Sequence, residues 1–218
     1  AAYLSMNETH QTHAPLPKRE TVRHIVPSGP DRFALIDLID MQKLKGWNSG
    51  ARYILTYIDA FSKWGAARPI PAKTSSAVQA ALREILTETN VSTILSDRGS
   101  EFSRSMEAML RGMDIKLIHS EPYKPWTQGM IERWNGTLKR ALEELMDAQG
   151  TKKWVDMLQA WVDGYNNRVH TVTKWAPAKL LKAELTQEQI EDIQSRMRGP
   201  TPPATEEKRR FAVGEKVR

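Results

Sequence analysis

The alternation of apolar and polar positions changes at Phe33. Ahead of it the chain is polar and broken by Pro and Gly. From there, "RFALIDLIDM" (32–41) reads as a strong apolar strand that carries two acids, Asp37 and Asp40. "RYILTYIDAFS" (52–62) reads as a second strand, rich in β-branched and aromatic residues, and "KWGAARPIP" (63–71) as a third that ends at prolines. Their short connections predict an antiparallel meander, with the polar stretch "QKLKGWNSGA" (42–51) as a loop. Next, "TSSAVQAALREILTET" places Val78, Leu82, Ile85 and Leu86 at helical spacing behind Ser and Thr caps. Strand "STILSD", helix "SRSMEAMLRGM" and strand "IKLIHS" follow, an alternation that implies parallel strands. The sum is an α/β fold: a mixed five-stranded sheet flanked by helices.

The second half is helical. In "TQGMIERWNGTLKRALEELMDAQG", Ile131, Trp134, Leu138, Leu142 and Leu145 form one apolar stripe, and Gly150 is the stop. Gln128, Glu132, Asn135 and Lys139 form the adjacent polar stripe, so Glu132 faces the rim of the core rather than the far solvent. In "TKKWVDMLQAWVDGYNN" the stripe Trp154, Leu158, Trp161, Tyr165 reads as core, not as a binding box. "PAKLLK" and "TQEQIEDIQSRMR" are further helical pieces. "GPTPPATEEK" (199–208) has the composition of a linker, and "FAVGEKVR" reads as a strand that begins a further β-domain.

Charge narrows the partners. Thirty-two Lys and Arg against 26 Asp and Glu give +6, a balance that favours a polyanion such as nucleic acid. No apolar run approaches the length of a membrane span, so no membrane partner is expected. The chain has no Cys, which excludes disulfides and thiolate metal sites. His10 and His13 therefore read as solvated side chains, since a structural zinc site needs four ligands. The polar, proline-broken start shows no signal peptide, and the absence of an initial Met reads as a trimmed piece of a longer protein.

The chemistry sits at "LSDRGSEF" (95–102), where an apolar strand stops at an acid. An acid on the lip of a buried strand costs desolvation energy unless something pairs with it. Phosphodiester chemistry uses two divalent cations held by a few carboxylates, which come from different rigid elements converging at one end of a sheet. Asp37 interrupts the first strand, Asp97 ends the fourth, and Glu132 lies on a helix that packs across that edge. Alone, Asp97 reads as a turn residue and Glu132 as a helix-surface residue, while Asp37 is harder to dismiss because it interrupts an apolar strand. Their order and placement together point to a metal site. Asp37 and Asp40 lie three apart, so on a strand they point to opposite faces and only one reaches the site.

The residues "DLIDM…YILTYIDAFSKW…LSDRGSEF…EPYKPWTQGMIERWNGTLKR…YNNRVH", from Phe33 to Pro177, resemble the catalytic core of retroviral-type integrases. These are DDE recombinases with a ribonuclease H-like fold. The 34 residues between Asp97 and Glu132 are close to the spacing characteristic of that family. The look is closest to integrases of LTR retrotransposons or of Polinton/Maverick DNA transposons. The resemblance implies that Asp37, Asp97 and Glu132 are the catalytic, metal-binding triad, with motif alignment on "DL" favouring Asp37 over Asp40. It implies two Mg²⁺ or Mn²⁺ ions per active site. It places Tyr123, Lys124, Gln128, Asn135 and Lys139 at the DNA, with Asn135 and Lys139 at helix positions that support the triad or touch DNA. Asp59 matches a structural acid. The implied activity is 3′-end processing and strand transfer of mobile-element DNA into target DNA. A nuclease that cuts without joining, or a non-catalytic DNA-binding module, are the alternatives. DNA, a homo-oligomer of two or more copies and a nuclear location complete the expectation.

The implied domains are a basic arm (1–30), the core (31–183), a helix and linker (184–210) and the first strand of a C-terminal β-barrel (211–218). The family's N-terminal zinc domain uses two Cys, which this chain lacks.

Overall fold

The computed structural model describes residues 26–102, 104–120 and 128–198. Strands β1 (Ala34–Asp40), β2 (Tyr53–Asp59) and β3 (Gly65–Ile70) form the antiparallel meander. Helix α1 (Ser75–Leu86), strand β4 (Thr93–Ser96), helix α2 (Arg104–Arg111) and strand β5 (Lys116–His119) follow, then helices α3 (Gly129–Ala148), α4 (Val155–Asn167), α5 (Pro177–Leu181) and α6 (Gln187–Arg198). The sheet order is β3-β2-β1-β4-β5, and β4 and β5 run parallel to β1. This is the mixed five-stranded sheet that the apolar pattern predicts. The linker, the closing strand and the N-terminal arm up to residue 25 lie outside the described residues.

Alternation along the strands sorts side chains onto two faces. Ala34 and Ile36 of β1 join Leu55, Tyr57 and Ile94 under α1 and α2, where Val78, Leu82, Ile85, Met106 and Leu110 cover them. Leu35 and Ile39 join Ile54, Ile58 and Leu95 on the other face, beneath Ile131, Trp134, Leu138 and Leu142 of α3. A smaller cluster of Phe61, Leu180 and Ile193 ties α5 and α6 to the β2–β3 turn. Thr74 caps α1 by accepting the Ala77 N–H. Gly150, with φ +61, closes α3 in the left-handed conformation that glycine favours.

Three expectations are corrected. The stretch after β1 is not all loop: Gln42–Trp47 forms a 3-10 helix. Pro69 does not end β3 but lies within it, opposite Ile54. This is tolerated because β3 is an edge strand, where a missing N–H breaks no outer ladder. Of the aromatic stripe on α4, Trp154 and Leu158 are buried, but Trp161 and Tyr165 are only half-buried. Those two rings stack with centroids 5.6 Å apart and border a groove of about 520 Å³. The buried ridge of α4 is instead Met157, Leu158, Val162 and Asn166.

One buried amide locks the edge strand to the helices. Asn166 accepts from the Gly65 N–H (2.9 Å) and donates to the Gly65 carbonyl (2.8 Å). A Cβ on Gly65 would overlap the Trp134 indole. Gly65→Ala therefore pushes α3 off the sheet and is expected to destabilise by about 1–3 kcal/mol. Asn166→Ala strands two buried backbone groups and is expected to cost about 2 kcal/mol or more. Urea unfolding of both variants checks this, and wild-type midpoints would refute it.

A second prediction concerns pH. Burial, together with the Lys63 charge, pushes the His170 imidazole down to about 4. An unfolded histidine titrates near 6.5, so the unfolded chain takes the proton first as pH falls. The contribution of this site is full above about pH 6.5 and is lost as pH drops towards about 4. His170→Gln is expected to lose less stability than the parent between neutral and mildly acid pH, as read by urea midpoints. Identical losses would contradict the assignment.

Candidate active site

Strand phase alone brings two acids together. Asp37 lies in phase with Leu35 and Ile39, on the sheet face that α3 covers. Leu35 pairs with Leu95 in parallel register. Carried two residues onward, that register sets Asp97 beside Asp37 on the same face, one strand spacing of about 4.8 Å away. Asp97 follows β4 directly and is exposed, and its Oδ1 accepts the Gly99 N–H (2.9 Å) in a tight turn. Asp40 has the opposite phase. It is exposed at the strand end, where its carboxylate takes the Gln42 N–H and side-chain amide, both at 2.9 Å. Those two bonds hold Asp40 below the ordinary carboxylate range, with lesser help from Lys139 and Lys43.

Helix α3 supplies the third wall. Ile131, Trp134 and Leu138 point into the core, so Gln128, Glu132, Asn135 and Lys139 follow the rim. The Asn135 amide donates to Asp37 Oδ2 (2.8 Å), while Asp37 Oδ1 accepts the Leu38 N–H (2.8 Å). Asn135 is thus a contact of the acid itself. Glu132 and Lys139 are exposed, and Gln128 is half-buried with an amide nitrogen that has no partner among the described residues. Tyr123 and Lys124 lie outside the described residues.

The three acids act on one another electrostatically. Burial raises the Asp37 carboxyl above its ordinary range, and the charges of Asp97 and Glu132 push the same way. The Leu38 N–H and the Lys73 ammonium oppose them. A half-buried carboxylate beside two other acids favours a cation. The Asn135 Oδ1, buried and without a partner among the described residues, leaves an acceptor for the shell of such a cation. This donor set, three carboxylates and one amide oxygen, suits Mg²⁺ or Mn²⁺. As the side chains lie, no three His, Cys, Asp or Glu among the described residues converge closely enough to hold an ion by themselves.

Two neighbours escape a reading of the sequence. Glu101, 2 % exposed, folds back beneath Gly99 and pairs with the Lys73 ammonium (3.0 Å). A Cβ on Gly99 would run into that carboxylate. Lys73 is raised by Glu101 and, to a lesser degree, by Asp97, so it stands as a cation between Glu101 and the candidate site. The only signal in the sequence is the acid inside "SDRGSEF" and a lysine just ahead of α1; nothing there joins them.

Comparison with known proteins bears on the fold and the family. Two family models described as integrase core domain match residues 28–125 and 113–177. The Gag-Pol polyprotein of Koala retrovirus is 36% identical over 134 residues, 59% of this chain and 8% of that polyprotein. The Pol polyprotein of Radiation murine leukemia virus (strain Kaplan) is 36% identical over 126 residues, 55% of this chain and 21% of that polyprotein. The chain thus spans a small part of the curated relatives it matches. Among solved structures, a chain of the simian T-cell lymphotropic virus intasome in complex with PP2A regulatory subunit B56 gamma superposes with a TM-score of 0.69 at 19% identity, covering 84% of this chain and 68% of that one. The HTLV-2 integrase catalytic core, solved in complex with magnesium, gives 0.59 at 15% identity, covering 72% of this chain and 99% of that one. These likenesses show the ribonuclease H-like integrase fold. With a mixed five-stranded sheet of this order and two integrase core domain models that together match residues 28–177, the chain belongs to the integrase core domain family of retroviral type.

Proposed function

We propose that this chain is the catalytic core of an integrase that cleaves mobile-element DNA near its 3′ end and joins the freed 3′-hydroxyl to target DNA. The observation that carries the reading is Asp37: a half-buried strand carboxylate, held by Asn135 and acted on by the charges of Asp97 and Glu132. Asp37, Asp97 and Glu132 would hold the divalent cations. When bound, these cations supply Lewis acidity that activates the attacking oxygen and stabilises charge on the scissile phosphate. Asn135 is the positioning residue, fixing the Asp37 carboxylate through one of its oxygens. Lys139, two turns along the same rim, holds a DNA phosphate, and Gln128 contacts DNA at the entry to α3. Tyr123 and Lys124 approach the element's end. Sheet and helix keep the acids rigid, so the alignment of hydroxyl and phosphate is set before reaction. Two element ends act on one target, so the working form is a dimer or higher oligomer, and its substrate places it in the nucleus.

Labelled oligonucleotide duplexes carrying the element's termini, incubated with Mn²⁺, test the reading. The expected result is metal-dependent cleavage and joined products, both lost in Glu132→Gln. Cleavage without joining would make this a nuclease. DNA binding with neither product would make it a binding module.

Asn135→Ala gives a finer test. Removing the donor to Asp37 is expected to lower activity, or raise the Mn²⁺ needed for half-maximal rate, by about 10- to 100-fold while the fold is kept. An unchanged metal requirement would remove Asn135 from the site.

A further inference from the structure

The stretch between β1 and β2 is a built surface. Its 3-10 turn ends on Asn48, a side chain 3 % exposed. The Asn48 amide donates to the carbonyls of Leu44 (2.7 Å) and Lys152 (2.8 Å), and its oxygen accepts the Val155 N–H (3.1 Å). One buried side chain thereby clamps the insertion to the turn between α3 and α4. Breaking the clamp would leave buried polar groups unpaired, which is what makes it hold its shape.

What the clamp presents outward is cationic and aromatic. Trp47 is 50 % exposed, and the Lys152 ammonium lies 4.6 Å from its ring centroid. Lys43, Lys45 and Lys153 are exposed around it. Among the described residues, no carboxylate lies within ion-pair distance of Lys43, Lys45, Lys152 or Lys153. Three acids lie along this face: Asp40, already occupied by Gln42, and Glu143 and Asp147, which follow Lys139 along α3 at steps of four; against Lys43, Lys45, Lys139, Lys152 and Lys153 the excess charge remains positive.

The surface continues from the candidate active site. Asn135 sits against Asp37, and one turn further Lys139 acts on Asp40, so β1 and α3 run the same way from site to insertion. Lys43 acts on Asp40 from the insertion side. From Glu132 to the end of α3 the helix rises about 24 Å. That distance corresponds to about seven base pairs of duplex.

We propose that this clamped stretch is a second DNA contact, which grips the phosphate backbone of a duplex out to about seven base pairs from the reacting end. The inference rests on the function proposed above and extends it to a surface outside the acids. Four lysines without acidic partners offer a sequence-neutral hold, while the acids at the other end of the track do the chemistry. The exposed Trp47 ring, capped by Lys152, adds apolar surface against the sugar edge of the backbone.

The test is fluorescence anisotropy of the full chain with a labelled duplex of about 24 base pairs, without divalent metal, over a salt series. Lys43→Ala/Lys45→Ala/Lys152→Ala is compared with Lys116→Ala/Lys179→Ala/Lys182→Ala, which removes the same charge from other faces. The first variant is expected to bind at least about tenfold more weakly near 0.1 M salt, and to flatten the slope of log K against log salt by about 2 to 3. The second should change that slope by less than about 1. Equal effects of the two variants, or none from either, would overturn the platform and leave the active-site reading standing, because none of the six lysines belongs to it. A parent chain that binds no duplex would overturn both.

Discussion

The packing of α3 across the central strand is the constraint on which the rest depends. Ile131, Trp134 and Leu138 seat the helix on Leu35, Ile58 and Leu95, and this apolar contact fixes its height and rotation. The polar rim then falls where it does because helical geometry leaves no choice. Asn135 lands on Asp37, Glu132 lies one turn ahead of it, and Lys139 one turn behind. Gly65 is part of the same constraint, since only the lack of a side chain lets Trp134 lie against the edge strand. The Asn166 amide then ties that strand to α4. The helix that borders the candidate acids is thus seated by contacts that carry no charge at all.

Electrostatics works against this packing in a useful way. Burial and two neighbouring acids make an ionised Asp37 uncomfortable, and the fold tolerates it through the Leu38 N–H, the Asn135 amide and the nearby Lys73. A site of this kind stores affinity for a cation, because the cation relieves a repulsion that the fold has already built in. Lys73 is itself restrained by the buried Glu101, so one positive charge stays at the rim without entering the acid group.

Much of the fold is legible in the sequence because each strand carries its own alternation. The phase that separates Asp37 from Asp40 needs only a period of two, and the side facing α3 then follows from Leu35 and Ile39. The helical stripe of α3 is equally plain, although Met146 rather than Leu145 completes its buried side. What stays hidden depends on contacts between distant segments. Asn135 reads as a DNA-facing or supporting residue until its amide is seen on Asp37. The Lys73–Glu101 pair joins segments 28 positions apart through a turn in which Gly99 leaves room for the Glu101 carboxylate. Trp161 and Tyr165 keep the spacing of a core stripe and pack against the core, yet one side of each borders a groove that no other described residue fills. The 3-10 turn at Gln42–Trp47 has no period to betray it, because its anchor is Asn48 reaching Lys152 and Val155.

The claim at the centre of this account is that Asp37, Asp97 and Glu132 share divalent cations. The most direct measurement is anomalous scattering from crystals of the chain grown with Mn²⁺. The account predicts Mn²⁺ peaks bound by the carboxylates of Asp37 and Asp97, with Glu132 completing the set, and their loss in Asp37→Asn. Ordered Mn²⁺ elsewhere with none at this edge of the sheet, or peaks unchanged by Asp37→Asn, would contradict it.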